Sequence, residues 1–145
     1  MRIVISNDHA ATFLKDEMLT YLKEKNLNVT DLGSKGEKSA DYPEYALAAA
    51  KGIVAGEYDF GILFCGTGAG MCMAANKVKG IRAVMCSEPY TARLAREHNN
   101  AQILCIGARV VGSELAKMII DTFLSSEFEG GRHATRVNQF MTYEN

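Results

Sequence analysis

The chain alternates between short apolar segments and longer amphipathic ones, and this alternation restricts its fold more than any other feature. Five segments have the composition of strands: RIVIS, NVTDLG, FGILFC, IRAVMC and AQILCIG. The segments between and after them carry apolar residues at helical spacing. Alternating strands and helices with short connections form a parallel sheet that is covered by helices on both faces. We therefore predict an α/β fold built on a five-stranded parallel sheet.

Local signals define several of the helices. The first helix carries one apolar stripe, which we expect to be buried and which consists of Phe13, Leu14, Met18, Tyr21 and Leu22. The helix in DYPEYALAAAKGIVAG is entered through Asp41, with Glu44 placed as in a capping box and Pro43 in the first turn. Gly130 and Gly131 interrupt the chain before a final helix.

Length and charge exclude several classes of function. A chain of 145 residues fits one domain, 1–145, and its net charge of −1 gives no electrostatic reason to expect a nucleic acid or an anionic membrane as partner. The apolar runs are shorter than the roughly 20 residues of a membrane span, and charged residues follow MRIVIS too soon for a signal peptide. The four cysteines lack CxxC and metal-ligand spacing, so we expect reduced thiols, a cytoplasmic protein and no bound metal.

Polar residues follow the first and third strands, where parallel sheets of this kind place their functional groups. The first strand ends in Ser6-Asn7-Asp8-His9, in which Asp8 or Asn7 has the alternative role of capping the next helix. The third strand ends at Cys65 and the loop GTGAG. These two strand ends are the first candidates for a functional site.

The loop after Cys65 is suited to bind negative charge. Gly66, Gly68 and Gly70 allow backbone N–H groups to point into one concavity, and the following helix adds the positive end of its dipole. A thiol at this position is expected to have thiolate character near neutral pH, with an inert buried cysteine as the alternative. An inert role is the interpretation for the three other thiols, Cys72, Cys86 and Cys105.

The glycine spacing also resembles a dinucleotide-binding fingerprint, with Glu88 roughly 20 residues further on. The match is incomplete, because Met71 stands where the third glycine belongs and the motif follows the third strand instead of the first. A nucleotide-binding regulatory module is therefore a second hypothesis, from a different functional class.

Further candidates lie in the second half of the chain. His98-Asn99 closes the fourth helix, where a histidine is often only a partner of the helix dipole. Arg132 and Arg136 share a helix face beside His133, and they form either a solvated surface or a clamp for phosphate. We expect one edge of the sheet to bring together Asp8, His9, Cys65, the glycine loop, His98 and Arg109. Such a site favours a small phosphorylated substrate.

Six motifs together resemble the ribose-5-phosphate isomerase B family: DHA, DYPEYA, CGTGAGMCMAANK, GIRAVMCSEPYTARLAREHNNA, GARVVG and FEGGRHATRV. Its superfamily also includes the galactose-6-phosphate isomerase subunits. The resemblance runs from the first strand to the last helix. It implies a Rossmann-like three-layer sandwich with a C-terminal helix and no metal or organic cofactor. It also implies a homodimer, in some members a dimer of dimers, with the active site composed at the dimer interface.

The resemblance implies reversible aldose–ketose isomerisation of D-ribose 5-phosphate and D-ribulose 5-phosphate through a cis-enediolate, within pentose phosphate metabolism. Cys65 matches the family's base, which moves a proton between C2 and C1. His98 with Thr67 matches the pair that opens the furanose ring by acid–base transfer. The enediolate would be held by backbone N–H groups of the loop residues Gly66, Gly68, Ala69 and Gly70.

The remaining matches bind substrate. Asn99 matches a residue that hydrogen-bonds the enediolate oxygens. Asp8 matches a ligand of the sugar hydroxyls, and Tyr42 an aromatic residue beside the sugar. The residues that match the phosphate grip are His9, Arg109, Arg132 and Arg136.

Two residues depart from the family pattern, and both bear on specificity more than on activity. Ala11 stands where members commonly have glycine, and Cys72 replaces a common serine. The run GGRHATRV is generally lacking in the galactose-6-phosphate subunits, so it favours the ribose branch. Allose 6-phosphate and galactose 6-phosphate are alternative substrates, and a catalytically silent sugar-phosphate sensor is an alternative function.

Overall fold

The computed structural model describes residues 1–36 and 40–144 and contains a five-stranded sheet in which each neighbouring pair of strands is parallel. In chain order the strands are β1 (Arg2–Asn7), β2 (Asn28–Asp31), β3 (Phe60–Cys65), β4 (Ala83–Met85) and β5 (Ile103–Gly107). Their order across the sheet is β2-β1-β3-β5-β4. The predicted parallel sheet is confirmed.

Helices connect the strands and cover the sheet. They are α1 (Thr12–Glu24), α2 (Tyr42–Val54), α3 (Ala69–Ala75), α4 (Pro89–Glu97), α5 (Ser113–Ser125) and α6 (Arg132–Met141). A short 3-10 turn at His9–Ala11 links β1 to α1, and α6 is the predicted C-terminal helix. Within the described ranges, no helix is both long enough and apolar enough to span a membrane.

The core consists of two hydrophobic clusters, one on each face of the sheet. On one face Ile5 packs with Met18 of α1 and Ile119 of α5, and α4 belongs to the same layer. On the other face Leu63 packs with Met71 of α3 and with the alanines of α2. Because successive side chains of a strand point to opposite faces, β3 and β5 are apolar almost throughout. The result is the predicted three-layer sandwich.

Two local predictions about the helices were wrong in detail. Phe13 was assigned to the buried stripe of α1, but it is 84% exposed, whereas Leu14 and Met18 are buried. One residue turns a helix by about 100°, which carries the Phe13 side chain away from the sheet. Asp41 is the N-cap residue of α2, but its side chain makes no cap hydrogen bond; only its carbonyl accepts, from Glu44 N at 3.2 Å. The capping box is therefore not formed.

The order of the strands places a crevice between the carboxyl ends of β1 and β3. From β1 the chain crosses to β2 on one side, whereas β3 lies on the other side of β1. Such a reversal leaves room for a ligand beyond the strand ends. Asn7 of β1 pairs with Phe64 of β3, so Asp8 and Cys65 leave the sheet side by side.

Candidate active site

Cys65 is the last residue of β3, and its side chain is buried at the carboxyl edge of the sheet. The loop turns back over the thiol, so that Gly68 donates its backbone N–H to Cys65 Sγ at 3.1 Å. Gly68 has a φ of +84°, and a Cβ there would lie 3.1 Å from the backbone of Gly107. Glycine is therefore needed to point this N–H at the sulfur. Thr67 is exposed at the tip of the loop, and its Oγ1 accepts the N–H of Ala69 at 3.2 Å.

Two other residues line the same loop. A Cβ on Gly66 would lie 3.3 Å from Arg109 Nη1, and a Cβ on Gly70 would lie 3.0 Å from the ring of Tyr42. The loop glycines thus allow a guanidinium and an aromatic ring to approach the backbone closely. Both side chains are exposed at this edge of the sheet, as a substrate-binding role requires.

β1 supplies Asp8 and His9 to the same edge. Asp8 is buried and accepts the N–H of Ala10 at 2.9 Å, so it caps the 3-10 turn, as one of its two sequence interpretations predicted. His9 is exposed, and its Nδ1 accepts the N–H of Ala40 at 3.1 Å. In the neutral ring the proton then lies on Nε2, which remains able to donate a hydrogen bond to an anion.

His98 and Asn99 lie at the opposite, amino edge of the sheet. α4 starts after β4 at the carboxyl edge and runs back, so its last turn lies where β5 begins; there Arg82 Nε donates to the carbonyl of Asn100 at 3.0 Å. β5 has five residues and is about 16 Å long. The prediction that His98 shares one edge of the sheet with Cys65 is therefore wrong. His98 and Asn99 precede a strand, and residues before a parallel strand lie at its amino edge.

The arginines of α6 also lie at the amino edge. The N–H of Glu129 donates to the carbonyl of Glu97 at 3.0 Å, which attaches the start of α6 to the end of α4. Arg132 and Arg136 are exposed, and neither has an ion-pair partner among residues 1–36 and 40–144. A groove of about 520 Å³ opens beside Arg136. Two guanidiniums are thus available here to an external anion.

His98 stacks on a residue that sequence reasoning did not assign to the site. The rings of His98 and His133 are parallel within 9°, with centroids 4.0 Å apart. Glu129 Oε2 lies 3.9 Å from His98 Nε2 and 3.3 Å from His133 Nε2. Burial and the neighbouring His98 and Arg132 lower the pKa of His133 below its ordinary value, so this ring is neutral at pH 7. The two histidines come from different helices, so their spacing in the sequence carries no signal of the stack.

The same three side chains are the candidate metal ligands among the described residues. The lone pairs of an imidazole lie in the plane of its ring. Because the planes of His98 and His133 are parallel, their lone pairs run side by side instead of converging on one ion. The cluster is built as a ring stack beside a carboxylate, and not as a metal centre.

The other thiols differ in their tendency to ionise. Burial raises the pKa of Cys86 to about 12 and also raises the pKa of Cys105, so an inert role fits both. Cys72 on α3 is half-buried, and a hydrogen bond with Cys105 lowers its pKa to about 7. Cys72 Sγ also donates to the carbonyl of Ala83 at 3.4 Å, so its environment differs from that of the two buried thiols.

Fold and site together define a class of protein. It is an α/β protein in which a thiol at the switch point of the sheet accepts a backbone N–H from a glycine loop, and in which guanidiniums are available to a small anion. A family model described as Ribose/Galactose Isomerase matches residues 3–140, and the chain belongs to this family. The resemblance drawn from the sequence motifs is confirmed.

Curated relatives match along nearly their whole length. Ribose-5-phosphate isomerase B of Escherichia coli (strain K12) is 48% identical over 143 residues, which cover 99% of this chain and 96% of the relative. D-erythrulose-4-phosphate isomerase of Pectobacterium atrosepticum is 48% identical over 146 residues, which cover 99% of this chain and 95% of the relative.

Solved structures share the fold. Ribose-5-phosphate isomerase B of Clostridium thermocellum superimposes with a TM-score of 0.97 at 50% identity, covering 99% of this chain and 97% of that one. The Mycoplasma genitalium ribose-5-phosphate isomerase B with bound ribulose-5-phosphate superimposes with a TM-score of 0.93 at 43% identity, covering 99% and 95%. The Rossmann-like architecture is therefore confirmed.

Proposed function

We propose that this chain is an aldose–ketose isomerase that interconverts D-ribose 5-phosphate and D-ribulose 5-phosphate through a cis-enediolate. One observation carries the proposal: the Gly68 N–H points at the thiol of Cys65, where the sheet opens a crevice. Proton transfer between adjacent carbons needs a base and donors that hold the negative charge it creates. The names of the relatives and the ligand of the Mycoplasma protein support this substrate pair.

Cys65 acts as the base in this mechanism. Its thiolate takes the proton from C2 of the open-chain aldose, and the electron pair moves onto O1 to give the enediolate. Backbone N–H groups of the loop from Gly66 to Gly70 hold the negative charge, which lowers the barrier. The thiol then returns the proton to C1, the O2 proton passes to O1, and C2 becomes the ketone carbon. No cofactor takes part in this scheme.

A homodimer would complete the site. Cys65 and Thr67 lie at the carboxyl edge of the sheet, whereas His98 and Asn99 lie at the amino edge about 16 Å away. A pair that opens the sugar ring must contact the same substrate. We therefore propose that the loop of one protomer faces His98 of its partner. The partner's α6 would then bring Arg132 towards the phosphate held by the first protomer.

The base is tested by Cys65→Ala. This variant should lose isomerisation while it still binds ribose 5-phosphate in a calorimetric titration, because the thiol acts on the proton and not on the phosphate. Cys72→Ser is the matched control, since it removes a thiol one helical turn beyond the loop and should keep its turnover. Near-normal turnover in Cys65→Ala would show that another group is the base.

The shared site is tested by mixing two inactive variants, Cys65→Ala and His98→Ala. A mixed dimer with a shared site carries one site with both groups intact, so random exchange of subunits should restore about a quarter of the normal activity. If each site lies within one chain, no site regains both groups and the mixture stays inactive. The same mixture measured before subunit exchange is the control.

A four-carbon sugar phosphate is the second candidate substrate, because the Pectobacterium relative is named for D-erythrulose 4-phosphate. Erythrose 4-phosphate carries its phosphate on O4 and cannot close a furanose ring, so it needs the base and the loop but no ring opening. Comparison of kcat/KM for ribose 5-phosphate, erythrose 4-phosphate, allose 6-phosphate and galactose 6-phosphate decides between them.

Calorimetry with NAD and ATP tests the alternative of a nucleotide-binding regulatory module, which would bind a nucleotide more tightly than a sugar phosphate. Four unpaired thiols support a reducing, cytoplasmic location.

A further inference from the structure

The stacked histidines form a defined unit at the amino edge of the sheet. His98 closes α4, and its side chain is 34% exposed, whereas His133 lies in the first turn of α6 with a side chain 7% exposed. Their rings are parallel within 9° with centroids 4.0 Å apart, so the two side chains are in contact. The exposed ring therefore rests on a buried one.

The buried imidazole is a costly residue if stability alone is considered. His133 Nε2 makes no hydrogen bond within the described part of the chain, although Glu129 Oε2 is 3.3 Å away. A buried polar atom without a partner is destabilising, and a phenyl ring of similar shape would avoid this penalty. Packing against α4 therefore does not explain the choice of histidine.

We propose that His133 and Glu129 are positioning residues for His98: the buried ring holds the plane of the His98 imidazole, and the carboxylate balances the charge that His98 gains when it takes a proton. This inference rests on the ring-opening role proposed for His98. A general base must hold one orientation relative to the proton that it takes, and a small misplacement costs rate.

The charges around the stack suit this role. Arg132 and Arg136 on α6 are positive, Glu129 is negative, and burial lowers the pKa of His133 so that its ring is neutral at pH 7. A neutral ring presents a π face to a protonated His98, whereas a charged ring would repel it. The Glu129 carboxylate lies within 4 Å of both Nε2 atoms, so it favours a proton on this cluster during ring opening.

The test separates ring opening from proton transfer at carbon. Isomerisation of ribose 5-phosphate requires both steps. Exchange of the C1 hydrogen of ribulose 5-phosphate with D2O requires only the base and the loop, because a ketose phosphorylated on O5 cannot form a furanose ring. His133→Ala should lower kcat for ribose 5-phosphate about 10- to 100-fold and leave the exchange rate within about twofold. His133→Phe keeps a flat ring in the stack but loses the nitrogen 3.3 Å from Glu129 Oε2, so it should recover only part of the loss.

A control variant distinguishes positioning from loss of structure. Val137 is the other buried side chain of α6, so Val137→Ala loosens the same helix without touching the stack. It should affect isomerisation and exchange equally or not at all. Glu129→Gln should lower kcat for ribose 5-phosphate and leave the exchange rate within about twofold, because the charge that His98 gains is then no longer balanced.

The outcomes are distinct for the two proposals. If His133→Ala slows isomerisation and exchange equally, or slows neither, the positioning role is refuted while the isomerase stands. If the unaltered chain does not isomerise ribose 5-phosphate at all, the proposed function itself fails. Should the unaltered chain isomerise without exchange, kcat of Glu129→Gln for ribose 5-phosphate decides, and an unchanged kcat refutes the role of the carboxylate.

Discussion

Replacing Gly68 with alanine tests the link between loop geometry and chemistry most directly. Gly68 has a φ of +84°, and its N–H donates to Cys65 Sγ at 3.1 Å. A Cβ at this position would lie 3.1 Å from Gly107 N and from Met85 Cγ, which is too close for an undisturbed loop. The loop must shift by a few tenths of an ångström, and the N–H then no longer points at the sulfur.

The size of the effect follows from two contributions. An alanine in the left-handed region costs about 1 to 2 kcal/mol of stability. A hydrogen bond to a charged group contributes about 1.5 to 3 kcal/mol, so its loss should lower kcat about 10- to 150-fold. The variant should therefore remain folded but isomerise ribose 5-phosphate slowly.

Gly56→Ala provides a matched control. Gly56 has a φ of +77°, so alanine there carries the same backbone cost, but no atom lies within 4 Å of the added Cβ and the residue is remote from the loop. Urea unfolding should show the backbone cost in both variants, with the larger loss of stability in Gly68→Ala because its Cβ also meets Gly107 and Met85. A coupled isomerase assay should show a loss of kcat in Gly68→Ala alone. Equal activity losses, or an unchanged kcat in Gly68→Ala, would refute the role of this N–H.

Three further predictions concern reactivity and stability. The pKa of Cys72 is lowered to about 7 and that of Cys86 is raised to about 12, so iodoacetamide should label Cys72 much faster near neutral pH. Mass spectrometry identifies the labelled residue, and equal labelling would contradict this difference in pKa. The pKa of His133 is lowered on folding, so its contribution to the free energy of unfolding is complete above about pH 6.5 and is lost as the pH falls; the acid dependence should be flatter in His133→Phe. Lys15→Met should lower the free energy of unfolding by about 3 kcal/mol, because the buried Nζ lies 2.8 Å from the Asp31 carboxylate. A change below about 1 kcal/mol would argue against this ion pair as a determinant of stability.

The carboxyl-edge half of the site follows from the sequence by itself. The run FGILFC is apolar enough to be a buried strand, and Gly66 and Gly68 directly after it favour a turn. Cys65 must then lie where the strand leaves the sheet. These relations are local along the chain, so strand pattern and turn chemistry are sufficient to place the thiol and its loop.

To place His98, the sequence analysis must also consider the direction in which its helix runs across the sheet. Its position before β5 already implies the amino edge, since each helix between parallel strands runs back across the sheet. Its residue type alone groups His98 with Cys65. Topology separates the two by the length of a strand, and this separation motivates the proposal of a shared site between two copies.

Only the tertiary structure decided the contacts between distant segments. Phe13 and Leu14 are both strongly apolar. The way α1 lies on the sheet nevertheless exposes Phe13 and buries Leu14. His133 stacks on His98 because the start of α6 is attached to the end of α4, and no periodicity within either helix encodes that approach. Local patterns determine which residues form strands, turns and helix faces, whereas packing between elements determines which side chains meet.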